Sequence, residues 1–194
     1  MNLPLKPSFL LVAAVAIASG VLLASARPAA RRFIDWASHS KAAAILFFGS
    51  AVAIFCSITA TLGDADALFV APHQFRIGMT VLSAAVGLLS FRFLPDYLGV
   101  RGLAVLWLIF ASHCLRVSFG EWDAPGMTAF IWTAKTFIYA TIVLALWLGA
   151  SPFKAHPWSA TLLEKRPAIA KALGAVLVLW GAAIAATTLL LKAA

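Results

Sequence analysis

A helix that crosses ~30 Å of hydrocarbon at ~1.5 Å per residue needs roughly 20 predominantly apolar residues in a row. This chain supplies runs of that kind at about 8–26, 42–62, 75–91, 102–119, 128–148 and 172–191. The third is the shortest, and the fifth and sixth are clean except for Lys135 in the fifth. No stretch between them approaches the ~50 residues of the smallest common domains. The pattern predicts an all-α, polytopic integral membrane protein: residues 1–194 as one bundle of about six transmembrane helices with short loops. Composition agrees, because 63% hydrophobic and 11% charged residues, with a mean hydropathy of +0.97, are more apolar than a soluble fold can hide.

The first run resembles a secretory signal, with Lys6 before it and Ala24-Ser25-Ala26 at its end. Arg27, Arg31, Arg32 and Lys41 follow at once, and clusters of that kind stay cytoplasmic, so a retained first helix is expected. Arg92 and Arg101 flank the next odd connection; Lys154, Lys165, Arg166 and Lys171 flank the last. Both termini should therefore lie outside the cytoplasm (N-out/C-out), in a cell inner membrane whose basic loops face the cytoplasm. The net charge of +8 is then explained by anionic lipid head groups and requires no nucleic acid partner.

Within the first basic connection, "RPAARRFIDW" sets Arg31 and Arg32 beside Phe33 and Trp36, which suits a short helix in the head-group layer or one extending into the cytoplasm. In the last, Pro152 and Pro157 should interrupt helix, Thr161 and Glu164 have capping-box spacing, and Pro167 fits a first helical turn. Small residues let helices approach closely in lipid. Stripes of them occur at Ala16, Gly20 and Ala24, at Gly49, Ala53 and Ser57, and at Gly174, Gly181 and Ala185, serving either internal packing or a partner subunit. "GDADA" at 63–67 echoes "GEWDA" at 120–124, and Pro95 aligns with Pro152, so hairpins 42–95 and 99–152 have the marks of a duplication.

The fourth and fifth runs and their connection concentrate the unusual groups. His113 and Arg116 share a helix face, and Lys135 lies about two turns into the fifth run. A charge facing lipid at that depth costs roughly 2.5 to 3.5 kcal/mol, so Lys135 should face the bundle or water, its ammonium reaching for Glu121 or Asp123. His113, Arg116, Lys135, Glu121 and Asp123, joined by His73 and Arg76, form the candidate polar cluster; it serves either as ion pairs tying helix ends or as a functional site. Asp64, Asp66, Glu121 and Asp123 offer hard oxygen ligands for a divalent cation, although helix capping explains them as well.

Cys56 and Cys114 sit at similar depth, but there is no C-x-x-C, and buried cysteine is ordinarily a small hydrophobe. A haem would need facing intramembrane histidines, and only His113 has that depth. No metalloprotease, phosphate-loop, nucleophile-elbow or dinucleotide-binding motif occurs, and no particular cofactor is implied. Three function classes follow. The first is a non-catalytic membrane subunit or scaffold, with other membrane subunits or further copies of itself as partners in the lipid bilayer. The second is a carrier or channel for an ion or small solute, and the third a membrane-embedded enzyme acting on a lipid or quinone head group.

Overall fold

The structure, a computed structural model, describes residues 5–25, 27–61, 72–93, 96–120 and 128–190. All the regular structure among them is helical. Helix α1 spans Leu5–Ser25, α2 Arg27–His39, α3 Lys41–Ala60, α4 Pro72–Phe93, α5 Leu98–Gly120 and α6 Thr128–Ala150. A 3-10 turn at Pro152–Lys154 leads into the short α7, Ala155–Ala160, and a π-helical turn at Thr161–Lys165 precedes α8, Pro167–Leu190. Among the described residues, six helices are long and apolar enough to cross a membrane: α1, α3, α4, α5, α6 and α8. The third of them is longer than the expected 75–91, and the fourth and sixth begin four or more residues early, at Leu98 and Pro167. Pro167 takes the first helical position, where its missing N–H has no intrahelical partner to lose.

Hydroxyl side chains in these apolar helices satisfy themselves locally. Ser19, Ser57, Ser83, Ser90, Thr136 and Thr187 each donate to the carbonyl four residues earlier, so none presents an unmet polar group to an apolar surround.

The most extensive seam joins α1 and α8. A Cβ added at Gly20 would lie 2.7 Å from the Gly174 carbonyl oxygen, and one at Gly174 would lie 2.7 Å from that of Gly20. At Gly181 it would meet Ile17 at 2.7 Å and the Ala13 carbonyl at 2.9 Å. The two terminal stripes therefore pack on each other, antiparallel, within the chain. The stripe at Gly49, Ala53 and Ser57 behaves differently: nothing lies within 4 Å of a Cβ at Gly49, and Ala53 and Ser57 are exposed.

Around the α1/α8 pair, α5 and α6 form an antiparallel hairpin and complete a core of Phe9, Val12, Ala13, Ala16, Ala111, Cys114, Ala134, Phe137, Ile138 and Ile184. The Trp180 indole N–H donates to the Thr133 carbonyl at 3.1 Å, and its ring meets Phe137 at 5.5 Å, which pins α8 to α6. Helix α3 reaches the bundle through a π-helical turn, Ala44–Gly49, laid directly on α5. A Cβ at Gly102 would fall 2.3 Å from the Phe48 nitrogen, so only glycine permits this approach. Helix α4 packs chiefly on α3, with Gly87 against Val52, and is otherwise exposed: Val81, Leu88 and Phe93 are 61%, 73% and 69% accessible.

At the end of the bundle that carries Arg31, Lys41, Arg101, Lys154 and Lys171, here the basic end, α2 folds across and packs on α5 and α7. It neither extends away from the bundle nor stands apart from it. Ala37, Val100 and Ala155 form one small core there, and Ala30, Leu162, Leu163 and Ala170 another. The expected capping box at Thr161 and Glu164 does not form. Thr161 is helical (φ −63°, ψ −43°), continuing out of α7, and the Glu164 carboxylate pairs with Arg31 of α2. Pro152 begins the 3-10 turn, whereas Pro157 sits in the first turn of α7 and does not interrupt it.

Candidate functional site

Of the candidate polar cluster, Glu121 and Asp123 lie outside the described residues, as do Asp64 and Asp66. His73 opens α4 beside Pro72, and nothing further is described of its side chain. What remains are His113 and Arg116 on α5, Lys135 on α6 and Arg76 on α4.

Lys135 is 2% exposed, on the core-facing side of α6 beside Ala134 and Ile138. Its ammonium lies 5.8 Å from the centroid of Trp132, one turn nearer the start of α6, so the side chain runs along the helix toward its N-terminus. The contact of Gly149 with Ala104, 3.8 Å from a Cβ at the glycine, sets the register of the hairpin and places Lys135 opposite Ser118. Ser118 is fully buried, and its hydroxyl donates to the Leu115 carbonyl at 2.8 Å. Lys135 therefore faces the interior of the bundle.

His113 lies elsewhere. Nine positions separate it from Ala104, about two and a half turns at about 3.6 residues per turn, so it projects from the side of α5 opposite α6. That side carries Gly99 and Gly102 and meets α3. Gly102 against Phe48 aligns His113 with Thr59, which is 3% exposed and shares a 3.2 Å hydrogen bond with Thr80 of α4. The thiol of Cys56 also approaches the Thr80 carbonyl, at 3.9 Å. The Nε2 atom of His113 is buried and makes no hydrogen bond, whereas Arg76, one turn from Thr80, is half-buried. Arg116 is exposed, turned away from the core.

The chain thus has two separate polar places where the sequence suggested one. A buried lysine sits inside the α1/α5/α6/α8 core, a Thr59–Thr80 hydrogen bond joins α3 to α4, and His113 projects from the α3 side of α5. The threonines carried no sequence signal, because hydroxyl residues are common in apolar helices and only inter-helix register brings these two together. Cys114 is fully buried in the four-helix core while Cys56 faces α4, and both are free thiols, so the redox pair is not assembled. Among the described residues no group of three or more His, Cys, Asp or Glu side chains could hold a metal ion.

An apolar groove of about 310 Å³ runs beside the seam between α3 and α4, lined by residues including Phe55, Met79, Ser83 and Val105. Neither this groove nor the smaller pocket at the basic end is lined by Lys135, His113 or Arg116. No family model, curated protein or solved structure matches the chain.

Proposed function

We propose that the chain is a multi-pass inner-membrane protein, its basic loops in the cytoplasm, acting as a non-catalytic subunit or scaffold of a larger membrane complex. The supporting observation is the dispersal of its ionisable groups: Lys135 is packed into the four-helix core, His113 lies across α5 from it, and Arg116 points outward. A chemical site needs such groups to converge on one reacting atom. Gentle extraction from the native membrane followed by native mass spectrometry tests the reading. A stoichiometric partner protein is expected; a lone monomer or homo-oligomer overturns it.

Carriage of an ion or small solute is the second reading, and one observation favours it. The unbonded Nε2 of His113 is buried on the α3 side of α5, level with the Thr59–Thr80 hydrogen bond among otherwise apolar side chains. Replacing His113 by Phe separates the two readings. A scaffold retains assembly and host function, whereas a carrier assembles but loses transport.

A further inference from the structure

A pocket of about 200 Å³ opens at the basic end, where the C-terminus of α2, the start of α3, the end of α4 and the start of α5 meet. Its polar wall is Ser38, His39, Ser40 and Lys41; its apolar wall includes Ile45 and Phe91, which are 66% and 37% exposed and continue onto the outer surface of the bundle. Two helix N-termini open into it. Ser40 caps α3, accepting a hydrogen bond from the Ala43 amide at 3.4 Å, and Leu98 and Gly99 are the first residues of α5. Helix N-termini present unpaired amides and partial positive charge, which favour an anion.

A second, independent observation points to a ligand. Ser38 is 4% exposed and lines the pocket, yet its hydroxyl makes no hydrogen bond. An unmet buried hydroxyl costs free energy that a bound acceptor would recover. The backbone beside it is held in place: the Tyr97 amide donates to the Ser38 carbonyl at 3.2 Å, and the Tyr97 ring lies 5.4 Å from that of His39. Lys41 supplies a cation, while the nearest acid in sequence to the α5 start, Asp96, is exposed and does not line the pocket.

We propose that this pocket holds the phosphate of an anionic glycerophospholipid, its acyl chains lying over Ile45 and Phe91. The phosphate oxygens accept from Ser38 and the two helix starts, and Lys41 stands over the negative head group. The proposal rests on the reading of the chain as a membrane protein, with this end at the head-group level.

Whether the full chain partitions into membranes, and resists extraction at high pH, is measured first and tests that reading separately. Detergent-purified full-length protein is then titrated with phosphatidylglycerol or with phosphatidylcholine of identical chains, and bound lipid is counted by native mass spectrometry. Phosphatidylglycerol is expected to bind in preference. Lys41→Gln, at an exposed position, should weaken it about fivefold, the effect of one basic group near a lipid surface. Ser38→Leu, which fills the pocket, should abolish the preference, and Lys171→Gln at the same end should leave it unchanged. Equal binding of the two lipids, or an undiminished preference in Lys41→Gln, overturns the proposal. So does displacement of the lipid by millimolar inorganic phosphate, which would make the ligand a free anion. Should Ser38→Leu fail to fold, Lys41→Gln decides alone.

Discussion

At the residue scale, the glycines separate into those whose hydrogen is in contact and those whose hydrogen is not. Gly20 and Gly174 face each other at backbone distance, so Gly174→Leu should cost more than the ~1 to 3 kcal/mol typical of overpacking, because the obstacle is a carbonyl and not a flexible side chain. Gly49→Ala meets open space and should be neutral or slightly stabilising. Thermal melts of the two variants in the same detergent check this, and equal melting temperatures would contradict the seam. Lys135→Met keeps the length and apolar stem of the side chain, so it should be markedly more stable than Lys135→Ala, which leaves a cavity and should lose ~2 kcal/mol or more. Tyr97 sits at φ 58°, where a bulky side chain is strained, and Tyr97→Val should be markedly worse than Tyr97→Gly in the same assay. The sequence carried the glycine stripes and the depth of Lys135. It did not carry which stripes meet, or the left-handed residue, since both are set by neighbours far along the chain.

At the element scale, α2 and α4 show how differently apolar residues can be used. In α2, Phe33, Trp36 and Phe47 of α3 form a cluster of ring contacts between 5.7 and 6.4 Å, while Ala30 and Ala37 are buried under the bundle. The amphipathic pattern of "RPAARRFIDW" was legible, but its packing against α5 and α7 was not. Arg31 joins Asp35 and Glu164 across this end, with side chains 42% to 50% exposed, so Glu164→Gln should shift stability by less than ~1 kcal/mol. A larger loss on chemical denaturation would mean that the pair anchors α7. In α4, the face turned away from α3 is open, so spin labels at Val81 and Leu88 should report strong collisions with oxygen and little with a polar nickel reagent when the protein is in bilayers. The reverse pattern would remove α4 from the hydrocarbon.

For the whole molecule, the arrangement to be tested is its direction in the membrane. With the native cysteines replaced by serine, Lys154→Cys should react with an impermeant maleimide only after right-side-out vesicles are opened; labelling of intact vesicles would invert the proposed topology. The number and approximate positions of the apolar helices were determined by the sequence alone, because crossing hydrocarbon is a requirement on length and composition that each segment meets or fails by itself. The tertiary structure alone decided that α1 closes on α8, that a π-helical turn in α3 rides on Gly102, and that His113 and Lys135 stand on opposite sides of α5. Those outcomes depend on the register between helices distant in sequence. Where every surface is apolar, hydropathy does not discriminate among registers, and close packing of backbones and small side chains does.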